Sequence, residues 1–260
     1  MAIRQEHGQA RRGRLIVLEG ADGIGKTTLA QGLADAIYHD ALDHDPADQD
    51  AGISTVASAT AGGGAGARLV FVPRRQVSQT SPYSRTLMTQ LATMLWHSGD
   101  APDLPDGFWV TLQASWYSAL RTTVVDPVLA AGHDVIMDGW WFKFFSKLLL
   151  QGWTQPDLDV IFGRVAGPDA VIVLTADLGA LYDRRGDFQP REMGMHAGVS
   201  DYGRQAFVTY QHDGLKNLLA YADHHRWPVL DLDAAAPVTD TLDLLRPLIA
   251  ALRRPEGEPQ

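Results

Sequence analysis

From Leu15 to Ala30 the chain reads LIVLEGADGIGKTTLA. Within it, Gly20 to Thr27 fits the pattern GxxxxGK[ST] in full. Glycines at Gly20, Gly23 and Gly25 let backbone N–H groups turn inward on a phosphate chain, with Ile24 between them and Thr28 after them supplying further amides. Lys26 is placed to reach the β and γ phosphates, and the Thr27 hydroxyl to bind Mg²⁺. A helix starting near Lys26 adds the positive end of its dipole. The chemistry these residues suit is the binding of ATP with Mg²⁺.

The elements that must position this loop follow from the hydrophobic pattern. RLIVLEG, RLVFVP, HDVIMD, PDAVIVLT and WPVLDLD read as short buried strands. Between them lie helical runs: KTTLAQGLADAIYH, SRTLMTQLATMLWHS, about Phe108 to Ala131, GWWFKFFSKLLLQG, Leu178 to Arg184, about Tyr202 to His225, and VTDTLDLLRPLIAALRR. Strands alternating with helices predict an α/β fold with one parallel sheet covered on both faces. Ligands in such a sheet sit at the carboxyl ends of the strands. Gly20, Pro73, Asp138, Thr175 and Asp233 are therefore expected on one rim.

The chain of 260 residues is 45% hydrophobic and 20% charged, so it can bury a sizeable core and reads as a single domain over 1–260. Residues 39–66 are acidic, then Gly, Ala and Ser rich, and read as a flexible insertion; 253–260 read as a frayed tail. The net charge of −9 disfavours a nucleic-acid partner or a membrane surface but not a small anion in a basic pocket. With no cysteine, disulfides, thiolate metal sites and cysteine nucleophiles are excluded. The basic N-terminus lacks an apolar secretory core, and no apolar run reaches the roughly 20 residues of a membrane helix. A soluble cytoplasmic protein is expected. No Asn-Lys-x-Asp base reader of GTPases occurs. The arginine-bearing segment 185–200 instead suggests a lid that closes over two substrates.

These landmarks, in order, resemble the thymidylate kinase family of nucleoside monophosphate kinases. LEGADGIGKTT resembles its phosphate loop, FVPRR its Phe-Pro-Glu-Arg segment, and DPVLAAGHDVIMD the approach to its Asp-Arg-Tyr motif. GPDAVIVL, SDYGRQAFVTYQ and WPVLDLDAA match later landmarks. The resemblance spans about Arg14 to Leu252, apart from the insertion. It implies a P-loop kinase fold, a five-stranded parallel sheet flanked by helices with a lid, and transfer of the ATP γ phosphate to dTMP with Mg²⁺. It also implies that Asp138 orients Mg²⁺ or its water and that Asp22 holds an acceptor sugar hydroxyl. With Gly23 at the loop position where some members carry Arg, the lid would supply that arginine from Arg184, Arg185 or Arg191. Arg185 matches the position packing on adenine, which favours Arg191 for the catalytic role. Tyr202 would help hold the acceptor, and homodimers are common in the family.

The acceptor half departs from the family. Gly139 stands where Arg holds the acceptor phosphate, the second family arginine falls near Tyr117, and the base-stacking aromatic falls near Gln113, with Trp116 close by. Arg74, Arg75 and Lys143 are the candidate replacements, and Trp140 or Trp141 the candidate lining of a less polar pocket. Three readings remain: a kinase of dTMP or a related monophosphate, a kinase of an unphosphorylated nucleoside or other hydroxyl compound, and a nucleotide-binding regulatory protein without transfer.

Overall fold

The computed structural model describes residues 12–34, 68–97 and 104–253. Its sheet is built from β1 (Leu15–Gly20), β2 (Leu69–Phe71), β3 (Asp134–Met137), β4 (Ala170–Thr175) and β5 (Val229–Asp231) in the order β2-β3-β1-β4-β5. Every pairing is parallel, with Val17 opposite both Met137 and Val171. All six residues of β1 are buried, as a central strand covered on both faces requires, whereas β5 at the edge is half exposed.

Side-chain alternation along the strands sorts the core into two layers. Leu15, Val17, Val135, Met137, Val171 and Val173 face one layer of helices. It contains α2 (Pro82–Trp96), α3 (Asp106–Leu120), α4 (Asp126–Ala130), α5 (Phe142–Leu150) and α6 (Gln155–Phe162). Ile16, Leu18, Ile136, Ile172 and Leu174 face α1 (Lys26–Leu33), α7 (Leu178–Arg185) and α9 (Val238–Arg253). The long α8 (Arg204–His225) reaches both, with Leu218 and Ala222 in the first layer and Phe207 in the second.

Local chemistry explains several boundaries. Ser81 caps α2 through a reciprocal box with Ser84, and Pro82 opens its first turn. The helix predicted from Phe108 to Ala131 is one rod with a π turn at Arg121–Val125, where Arg121 reaches Asp126 at 2.7 Å and the Gly167 carbonyl at 2.7 Å. Helix α6 is absent from the sequence reading because only Leu158 and Phe162 of it are buried, too few for a periodic signal. Arg253, placed in the tail by the sequence, closes α9; the rest of the tail and the insertion 39–66 lie outside the described residues. No helix of the described residues is long and apolar enough to cross a membrane.

The connection leaving β1 runs toward β2, while β4 and β5 lie on the other side, so the chain reverses direction around β1 and β3. That switch point opens a crevice at the carboxyl ends of those two strands, where Gly20 and Asp138 emerge side by side.

At the opposite end of β3, Asp134 is fully buried and accepts from the Arg14 N–H at 2.8 Å and Arg253 Nε at 2.7 Å, joining β1, β3 and α9. Asp134→Ala leaves that N–H and guanidinium without their carboxylate and should cost about 2–4 kcal/mol in a urea melt. A loss under about 0.5 kcal/mol would mean the joint contributes nothing.

Candidate functional site

The phosphate loop follows β1 as predicted. Gly23 and Gly25 adopt φ of 81° and 98°, and Gly25 is the N-cap of α1 with no side-chain cap bond. The first-turn N–H groups of α1, including those of Thr27 and Thr28, are thus not claimed by a capping side chain. A side chain at Gly23 would also run into Phe188, whose ring lies 2.7 Å from an added Cβ. Position 23 therefore has no room for a side chain while the Phe188 ring lies there.

Lys26 is buried and donates to the Gly20 and Ala21 carbonyls at 2.9 and 2.7 Å. Burial, then repulsion from Lys143, pulls its pKa down to about 7, against the attraction of Asp22 and Glu19. Thr27 Oγ1 donates to Asp138 Oδ2 at 2.6 Å, and the other Asp138 oxygen accepts the Arg74 N–H at 2.9 Å. A hydroxyl and a carboxylate side by side at the loop form an all-oxygen donor pair that fits Mg²⁺, which takes one or two protein oxygens and completes its shell with phosphate and water. Among the described residues, no cluster of three or more His, Asp or Glu offers a rival metal site.

On the acceptor side, Arg74 fills the space above Gly139. Its Cδ and Nη1 lie 3.7 and 3.9 Å from where a Cβ on Gly139 would be. Its backbone is pinned, since Trp116 Nε1 donates to its carbonyl at 2.9 Å. Burial opposes the charge, but Asp138, Tyr117, Asp22 and Glu19 outweigh it and hold the guanidinium pKa up. No hydrogen bond from that guanidinium to another residue exists among the described residues. Arg75 lies over the Trp96 ring at 5.0 Å, and Trp96 meets Trp116 edge-on. Burial, then repulsion from Arg74 and Arg191, lowers the Arg75 pKa.

Trp140 is core rather than open lining, at 2% exposure. Its N–H donates to Glu19 Oε1 at 2.8 Å, its carbonyl accepts the Tyr117 hydroxyl at 3.1 Å, and its ring packs on Tyr117. Trp141 is buried against Phe142, Phe145 and Phe162. Burial pushes the Tyr117 pKa well up, so the phenol stays neutral. Glu19 is wholly buried and its Oε2 has no partner; Gln113 Oε1 and Trp140 Nε1 are likewise unpaired. Burial raises the Glu19 pKa against the pull of the Trp140 N–H, Lys26, Lys143 and Arg74. Sequence reasoning passed over Glu19, although a lone carboxylate in an apolar strand is a visible signal.

Asp22 is enclosed. Lys143 pairs with its Oδ1, Lys147 with its Oδ2 at 2.6 Å, and Gln211 donates to Oδ2 at 3.0 Å. Burial raises the Asp22 pKa, but Lys143, Lys147 and Lys26 together hold it well below the usual range. Sequence reasoning passed over Lys147; its spacing from Lys143, one helical turn along α5, is the signal that could have found it. In the lid, Arg184 donates to the Gly23 carbonyl at 2.6 Å and the Ala234 carbonyl at 2.9 Å. Arg185 bonds Asp187 and Glu192 and lies over Phe188 at 4.6 Å. Tyr202 instead lines an open groove of about 690 Å³ with Leu150, Val199 and Tyr210, to which no phosphate-loop residue contributes.

The sheet order, the loop after β1 and the lid over it define a P-loop kinase fold. Among solved structures, the chain is similar to a thymidylate kinase from Candida albicans, described as revealing the origin of broad substrate specificity and a novel structural element. Identity is 17%, the match covers 92% of each chain, and the TM-score is 0.57, a likeness of fold. No family model matches the chain, and no curated protein matches it.

With a Lys26 pKa near 7, the lysine is mostly neutral at about pH 8, and an adjacent phosphate would return it toward its ordinary value of 10.5. Mg·ATP binding at that pH should take up close to one proton, read by titration calorimetry in buffers of different ionisation enthalpy. Lys26→Met should abolish the uptake; equal uptake in both proteins would rule out Lys26 as its source.

Proposed function

We propose that the chain is an ATP-dependent phosphotransferase that passes the γ phosphate to a nucleoside monophosphate, dTMP or a close relative, with Mg²⁺. The observation that carries this reading is the Arg74 guanidinium above Gly139. Asp22 is engaged by two lysines and Asp138 by Thr27 and a backbone N–H, so neither forms an ion pair with Arg74 or Arg75. Two guanidinium groups without hydrogen-bonded carboxylates among the described residues, next to the donor loop, suit an acceptor phosphate of nearly two negative charges. The likeness to a thymidylate kinase fold supports the same class.

In this reading Lys26 and the loop amides hold the donor phosphates, and Thr27 and Asp138 hold Mg²⁺. Bound there, the ion would offset the negative charge of the donor phosphates. Arg184, already fixed on the Gly23 carbonyl, lies beside the loop, and the Arg191 charge acts on Arg75. One or both would steady charge on the transferring group. Transfer is in line, with no covalent enzyme intermediate. Lys143 and Asp22 act as a pair at the boundary between the two halves.

Glu19 favours a second reading. Its spare oxygen, in a fully buried carboxylate beside Lys26 and Arg74, could accept a proton from an unphosphorylated hydroxyl compound. Such a kinase would not need Arg74.

Lys26→Ala should abolish turnover while leaving the circular dichroism spectrum unchanged. Arg74→Ala should lower kcat/KM for dTMP roughly 30- to 1000-fold, equivalent to about 2–4 kcal/mol, with KM for ATP little altered. An Arg74→Ala enzyme with undiminished dTMP turnover would remove the acceptor-phosphate role.

A further inference from the structure

Gln211 of α8 lies 189 positions from Asp22 in sequence, is 2% exposed, and uses every hydrogen-bonding capacity its amide donates. Its Oε1 accepts the Asp22 backbone N–H at 3.1 Å. Its Nε2 donates both hydrogens, to Asp22 Oδ2 at 3.0 Å and to the Glu192 carbonyl at 2.7 Å. The amide orientation is determined by these partners, because the flipped form would set an oxygen against a carboxylate and a carbonyl. Glu192 in turn accepts Arg185 and the Gln189 N–H. One side chain thus joins the phosphate loop to the lid.

We propose that Gln211 is a positioning residue that fixes the lid, and through it the lid arginines, relative to the phosphate loop. The tie consists of hydrogen bonds alone and needs both an acceptor and two donors on one planar group, which among uncharged side chains of this length only Gln supplies. Leucine would leave the Asp22 N–H and Glu192 carbonyl unpaired. Glutamate would keep the shape but face the Asp22 carboxylate and the Glu192 carbonyl with a like charge. The kinetic consequence rests on the phosphotransferase reading; the mechanical one does not.

The two are separated by measuring hydrogen exchange on the full-length protein without substrates, then steady-state kinetics with ATP and dTMP. In Gln211→Glu and Gln211→Leu, amides of 186–200 should exchange at least about 10-fold faster, while those of α3 and α4 stay at wild-type rates. Wild-type exchange at 186–200 in both variants overturns the tie. Acceleration of equal size in α3 and α4 also overturns it, because the residue would then serve general stability. Where the wild type turns over, the variants should lose kcat at least about 10-fold with KM for ATP changed less than about threefold. Unchanged kcat would overturn the positioning role. Absence of turnover in the wild type would count against the phosphotransferase reading alone, and the exchange result would still decide the tie.

Discussion

The buried carboxylate of Asp22 is the joint on which the site's geometry depends. It draws Lys143 and Lys147 from α5, Gln211 from α8 and, through Gln211, the lid onto one residue of the phosphate loop. Three donors on two oxygens leave it little capacity for a sugar hydroxyl, the role its place in the loop suggests by resemblance. Taking a carboxylate and two ammonium groups out of water is costly, and the arrangement is tolerable because each charge has a partner at hydrogen-bond distance. Removing Lys143 would leave a surplus that the neighbouring Lys26 and Glu19 would feel, since its charge lowers the pKa of both.

Once Asp22 is occupied in this way, the remaining charges have a simple order. Asp138 is taken by Thr27 and the Arg74 N–H, which leaves the guanidinium groups on the rim of β2 without hydrogen-bonded carboxylates among the described residues. In the thymidylate kinase pattern that the sequence resembles, the phosphate arginine follows the Asp at the end of the third strand. Here that residue is Gly139, at φ 145°, and Arg74 crosses from the neighbouring strand into the same space. In the proposed reading the charge is relocated by one strand. A similar exchange occurs at Gly23, where Phe188 and Arg185 occupy the space that a side chain at that position would take.

Much of this was legible in the residues. The glycine spacing with Lys26 and Thr27, five β-rich apolar runs, and Asp138 at a strand end were sufficient for the sheet, the loop and the Thr27–Asp138 pair, because backbone needs and apolar alternation are local properties. Arg74, Arg75 and Lys143 could be named as candidates, but only the fold shows that Arg74 lies over Gly139 while Lys143 is spent on Asp22. Gln211 and Glu19 were missed for a different reason. A glutamate in an apolar strand is visible in the sequence, but what it and a glutamine in a long helix hold depends on partners more than a hundred positions away. Trp140, read as a candidate pocket wall, is instead buried between Glu19 and Tyr117, and Tyr202 lines a groove apart from the loop.

The central claim is that a displaced arginine makes this a site for a phosphorylated acceptor. It is tested most directly by following ADP release from Mg·ATP with dTMP and thymidine as parallel acceptors and a no-acceptor control. The account predicts that dTMP stimulates turnover well above the control and above thymidine. Turnover with thymidine but not with dTMP would contradict it and give the chemistry to Glu19.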